Sequence, residues 1–170
     1  VLCLIFLAGF SSPAICGTRN PNVPDSKYID YGAKHECVVP VKGDMLIKND
    51  SGEEIKVKAS GSGVIINKRY LLTAAHVVKN AKKPYIILNE KKIEIEWVLI
   101  PKSYKLNEMS SNDIALCRLH EDAIIDFYPE LYDKDDEIGK ICSLAGYGMH
   151  GTWDTGTIKD DDKRRAGSNY

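Results

Sequence analysis

Residues 60–78 read SGSGVIINKRYLLTAAHVV. Two short apolar runs, 63–66 and 70–73, flank the polar trio Asn67-Lys68-Arg69, the pattern of a β-hairpin. Two alanines and His76 follow at once, and 74–79 suggests a helical turn. Outward from this stretch the same alternation repeats. Runs 44–48 and 55–58 flank Asn49-Asp50-Ser51-Gly52, and runs 85–88 and 93–99 flank Asn89-Glu90-Lys91. Val38 and Val39 precede Pro40, while 114–119 and 140–145 complete the set of strands. In 93–99, Ile93, Ile95, Trp97 and Leu99 alternate with Glu94 and Glu96, a period of two that places those four on one face. Besides 74–79, only 121–126 reads as helical. Short strands at this spacing with almost no helix predict an all-β antiparallel barrel or sandwich.

The 170 residues suffice for one globular domain or two small ones. With 44% hydrophobic and 28% charged residues the chain has the composition of a folded protein. Lys+Arg 23 against Asp+Glu 24 leaves a formal charge of -1, which argues against nucleic acid as a partner. The longest apolar run, VLCLIFLAGF at 1–10, is too short for a stable membrane span, which needs about 20 residues. Followed by Ser11, Ser12, Pro13 and small residues, it reads as a secretory signal peptide over 1–16, incomplete because neither an initiator Met nor a positive n-region precedes it. Ala14 and Cys16 fit a cut before Gly17, so the expected location is secreted or periplasmic. A lipid anchor on Cys16 ranks second, because Ile15 is large for lipoprotein processing. Residues 17–28, polar with two prolines, read as an extended leader or linker. Export leaves Cys37, Cys117 and Cys142, an odd number without metal-binding spacing. One disulfide with a free thiol and three buried thiols are both open.

Two segments carry chemistry. Thr73-Ala74-Ala75-His76 ends the opening hairpin, and Ser111-Asn112-Asp113-Ile114-Ala115-Leu116 puts a carboxylate directly before an apolar strand, 37 residues on. A buried carboxylate is costly without a donor, and an imidazole Nδ1–H is a suitable one. Both segments, and the Gly-Ser-Gly opening at 61–63, resemble the trypsin-like (chymotrypsin-fold) serine protease family. The resemblance implies that His76 is the general base and Asp113 the residue that orients it, in the order His, Asp, Ser. It implies a chymotrypsin-like antiparallel double β-barrel. The first barrel spans 29–130; residues 131–170 hold the inter-barrel linker and the start of a truncated second barrel. Ala145-Gly146-Tyr147-Gly148 is similar to the strand that opens that second barrel.

The nucleophilic serine is not in this chain. In the family it stands in Gly-Asp-Ser-Gly-Gly, roughly 90 residues beyond the Asp, whereas 57 residues follow Asp113. Ser143 and Ser168 lack glycines placed to form an oxyanion hole. The chain is thus expected to be an N-terminal part, inactive alone. Val77 stands where vertebrate trypsins carry a cysteine, which is closer to bacterial-type members. No Ile-Val-Gly-Gly precedes the barrel, and Ile29-Asp30-Tyr31-Gly32 is a weak echo.

Other motifs fail on physical grounds. Gly146-Tyr147-Gly148-Met149-His150-Gly151 spells a dinucleotide fingerprint, but turn chemistry follows where a helix must begin. The runs DKDDE at 133–137 and KDDDKRR at 159–165 lack EF-hand spacing and read as solvated loops, with Lys163, Arg164 and Arg165 a nick point if exposed. His35, His76, His120 and His150 have no zinc spacing. Asn49-Asp50-Ser51 is a glycosylation sequon that turn chemistry explains. No cofactor or metal is implied. The expected function is a trypsin-like serine-type endopeptidase acting on a protein or peptide substrate. The alternative is a non-catalytic homologue, a pseudoprotease using the barrel as a binding module.

Overall fold

The computed structural model describes residues 18–105 and 112–169. The signal-peptide reading of 1–16 falls outside the described residues. In chain order the elements are β1 (Thr18–Arg19), α1 (Asp25–Ala33), β2 (Val38–Lys48), β3 (Glu54–Asn67), β4 (Tyr70–Thr73), α2 (Ala75–Val78), β5 (Lys82–Leu88) and β6 (Lys91–Leu99). After them come β7 (Ala115–Leu119), β8 (Cys142–Gly146), β9 (His150–Thr152), β10 (Gly156–Lys159) and β11 (Arg165–Asn169).

Six strands close into an antiparallel barrel in the order β2-β3-β4-β7-β6-β5. Local turn chemistry sets three of its joints. At the β2–β3 hairpin Asn49 accepts from Gly52 N–H and from the Ser51 and Glu53 amides, and Gly52 takes φ +79°. At β3–β4 the Asn67 carboxamide accepts from the Arg69 and Tyr70 amides. At β5–β6 both Asn89 (φ 48°) and Glu90 (φ 64°) adopt the left-handed region that a two-residue hairpin with matched twist requires. Pro40 pairs with Ser62 of β3, and β5 pairs on the other side only from Val41, so the missing N–H falls outside the β5 ladder.

Val41, Ile65, Leu71, Ile86, Ile93, Cys117 and Leu119 fill the barrel, each 2% exposed or less. One part of the period-two expectation fails. Ile93 and Ile95 point inward, but Trp97 and Leu99 are exposed. The β6–β7 register slips between Ile95 and Trp97, which reverses the facing of every later side chain, and Val98 packs on the core instead.

Two further differences concern the connections. Residues 25–33, partly inside the run expected to be extended, are the helix α1, with Asp25 in its first turn. The stretch 121–126 carries no helix; Ala123 and Ile125 are buried and seal the barrel floor, with Ala123 N–H bonded to the Lys68 carbonyl. Beyond it, β8 pairs with β11, and β1, β9 and β10 form a small sheet in which β1 runs parallel to β9. No helix among the described residues is long and apolar enough to cross a membrane.

Candidate active site

The site lies on the barrel rim where β4 gives way to α2. Thr73, fully buried, donates its hydroxyl to the Ser62 carbonyl at 2.9 Å, which ties the end of β4 to β3. Ala74 and Ala75, 1% and 0% exposed, let the single turn of α2 lie flat against the barrel, and Val77 and Val78 anchor its far side. Gly61 is required beneath it: a Cβ there would lie 2.6 Å from Val77 Cγ2. With three of its four α2 residues pinned inward, the chain turns the fourth, His76, outward, its side chain 38% exposed.

Asp113 arrives from the start of β7. Asn112 takes φ +84°, a left-handed kink that Asn tolerates better than most residues, and Ile114 N–H bonds back to the Asn112 carbonyl at 2.8 Å. The Asp113 side chain is 14% exposed. Its Oδ2 lies 2.7 Å from His76 Nδ1, and its Oδ1 accepts the His76 backbone N–H at 3.0 Å. One carboxylate therefore holds both the ring and the main chain of one residue. An acceptor at Nδ1 keeps the proton on that nitrogen and leaves Nε2 as the basic one. Tyr104 is buried nearby, with the Lys79 ammonium 4.9 Å from its ring centroid. Burial first, and the Asp113 charge second, raise its hydroxyl above the usual phenol range.

The structure thus brings together the two residues singled out in the sequence. Ser143 and Ser168 are elsewhere, both bonded to the Tyr31 hydroxyl. Gly146-Tyr147-Gly148 joins the site's floor: the Ser62 hydroxyl accepts the Tyr147 N–H at 2.8 Å and donates to the Tyr147 carbonyl at 3.2 Å. Ser62 thereby ties the strand under His76 to the second half, a role that no sequence signal announces. The charge run near the C-terminus is not a solvated loop throughout. Arg165 is 12% exposed and binds Asp25 and Asp161, and Arg164 donates to the Glu36 and Val38 carbonyls. Its arginines are engaged, not a free nick point. Asp25, His150 and Asp161 come within 4.8 Å of one another, but the Arg165 guanidinium already supplies the cation between the two carboxylates. Cys37 and Cys117 are buried thiols and Cys142 is half-buried, all unpaired. Burial pushes the Cys117 thiol up to about 12 and the Cys37 thiol upward, so neither is a nucleophile at neutral pH.

The family model for trypsin matches residues 42–165, spanning β2 to the start of β11 and both His76 and Asp113. The chain belongs to the trypsin family. Two solved structures show the same fold. An HL collagenase is 15% identical with a TM-score of 0.53, over 79% of this chain and 57% of that one. Neuropsin, a serine protease expressed in the limbic system of mouse brain, is 17% identical with a TM-score of 0.58, over 79% and 58%. The trypsin-family chain therefore spans less than three fifths of either protein, and its architecture is chymotrypsin-like and all-β, with the second barrel partial. No curated protein sequence matches it.

Proposed function

We propose that this trypsin-family domain is the His–Asp half of an exported serine endopeptidase. The observation that carries the reading is the 2.7 Å contact between His76 Nδ1 and Asp113 Oδ2 on the rim of a closed barrel. His76 Nε2 removes the proton from a serine hydroxyl as that oxygen attacks a peptide carbonyl, then delivers it to the departing amine. Asp113 stays ionised, fixes the tautomer and stabilises the imidazolium between those steps. The exposed edge of His76 suits this work, since the ring must reach a hydroxyl and an amine that arrive from outside. That hydroxyl comes from polypeptide outside these 170 residues. Ser143 and Ser168 are committed to Tyr31. The apolar run at 1–10 supports export.

Peptide hydrolysis by the protein isolated from its source tests the proposal. Asp113→Asn is expected to lower kcat by about four orders of magnitude with little change in KM, because the amide would stabilise the wrong tautomer. His76→Ala should lose at least as much. Activity that survives His76→Ala contradicts the reading, and a folded protein from that source that hydrolyses no peptide favours a barrel kept for binding.

A further inference from the structure

Residues 17–28 read as a leader or linker and 29–33 as the start of the first barrel, yet the fold packs 18–33 on the second half. β1 adds to β9 as a parallel strand, Thr18 opposite Gly151 and Arg19 opposite Thr152. Helix α1 lies on β11 with no room between: a Cβ on Gly32 would come within 2.4 Å of the Arg164 carbonyl oxygen. Tyr28 lies against Gly167 and its hydroxyl accepts the Asn20 N–H at 3.0 Å. The Tyr31 hydroxyl joins Ser143 of β8 and Ser168 of β11, the latter at 3.2 Å.

Arg165 holds the centre of this contact. Its guanidinium makes paired hydrogen bonds of 2.8 Å to both oxygens of Asp25, on α1, and of 2.7 and 2.8 Å to both oxygens of Asp161. Arg19 adds a second cation 3.3 Å from Asp25. Two-pronged pairing on both sides fixes the orientation as well as the distance, which a single ion pair would not. The neighbouring Arg164, just before β11, bonds the Val38 carbonyl at 2.8 Å where the barrel begins. Two consecutive arginines therefore join the barrel, β11 and α1.

Apolar contact with the barrel core is made by Ala145 and Tyr147, both only partly buried. Beyond Ile125, Ala166 is the one apolar residue among the described ones that is buried. The strands after Cys142 thus lean on a helix that precedes the barrel as well as on the barrel itself. We propose that residues 18–33 are a clasp retained in the working protein, latched by Arg165, and that the order of β8 and β11 depends on it. The proposal goes beyond the catalytic reading and does not rest on it.

Amide hydrogen exchange on the full chain tests the latch. With Arg165→Gln, the amides of 25–33 and of 142–146 are expected to exchange at least about tenfold faster, while the barrel amides of β2–β7 stay within about twofold. Unchanged protection in 25–33, or a change there that leaves 142–146 untouched, overturns the proposal. Should that variant fail to fold, Arg165→Lys carries the test. Lysine keeps the charge and loses the fork, so a smaller acceleration confined to the same two segments is expected, and its spread over the barrel would overturn the proposal. Mass spectrometry of the protein from its source tests retention: peptides from 18–33 belong to the mature chain, and a mature N-terminus at residue 34 or later contradicts this.

Discussion

The barrel and the second half are built from different interactions. Between Val38 and Leu119 every strand pairs with two neighbours, and the enclosed residues Val41, Ile65, Leu71, Ile86, Cys117 and Leu119 are fully buried. After Cys142 the strands form a three-stranded and a two-stranded sheet, and every residue of β8 is only half-buried. This half is joined to the rest by polar contacts, Arg164 to main-chain carbonyls, Arg165 to two carboxylates and Ser62 to Tyr147, with Ala145 and Tyr147 partly buried against the barrel core. A closed apolar core is less sensitive to the loss of one polar contact than a half with few fully buried side chains. His76 and Asp113 both sit on the closed part, which suits a pair that must keep a fixed geometry.

The contrast between the halves is tested most strongly at the barrel core. Ile65→Ala, at a fully buried position, is expected to cost about 2–5 kcal/mol and to lower the thermal midpoint of the whole domain. A local effect confined to one hairpin would show that the barrel is not a cooperative unit. Gly32→Ala comes next. On an exposed helix face this exchange would stabilise by up to about 1 kcal/mol, but here the new methyl meets the Arg164 carbonyl at 2.4 Å. We expect about 1–3 kcal/mol of destabilisation, visible as loss of protection in α1 and β11 before the barrel. A neutral or stabilising result would mean that the helix does not sit against β11 in solution.

Acid sharpens the same contrast. Hydrogen bonding to Arg165 holds the carboxyls of Asp25 and Asp161 below the usual carboxylate range. A depressed folded value means that the two contribute their full stability above the unfolded carboxylate pKa of about 4, and lose it as pH falls through the depressed values. Arg165 and His150 face both carboxylates and favour their ionised forms, and Arg19 does the same for Asp25. Below about pH 4 the second half should therefore loosen before the barrel. Trp153, in the β9–β10 turn, reports on one half, and Trp97, on β6, reports on the other. Fluorescence of single-tryptophan variants should give an acid midpoint for Trp153 above that for Trp97; coincident midpoints would contradict the polar latch. The smallest effect is expected at Lys91, whose exposed pair with Glu121 bridges β6 to the barrel floor. Lys91→Ala should change stability by less than about 1 kcal/mol.

The parts legible in the sequence are those whose cause is local. The Asn-led turns at 49, 67 and 89 carry their own hydrogen bonds or left-handed dihedrals, so the hairpins are readable from the residues of the turn alone. Since a histidine after a strand and an Asn-Asp pair before one are common on their own, His76 and Asp113 are legible through the resemblance of the stretches around them to the trypsin-like family. The facing of Trp97 and Leu99 is not, since the slip at Ile95 is decided by the pairing with β7. Helix α1 and the arginine pair escape a sequence reading for a related reason. Besides Asp161, four residues back, the partners of Arg164 and Arg165 lie 126 to 140 residues away, and a run of charges carries no mark of a partner at that distance.

Labelling of the protein isolated from its source with a fluorophosphonate tests the central claim most directly, because the reagent reacts only with a serine hydroxyl that a neighbouring base has activated. One covalent adduct per molecule, on a single serine and abolished by His76→Ala, is the expected result. A properly folded protein that takes up no label, or one labelled equally well without the imidazole, would contradict it.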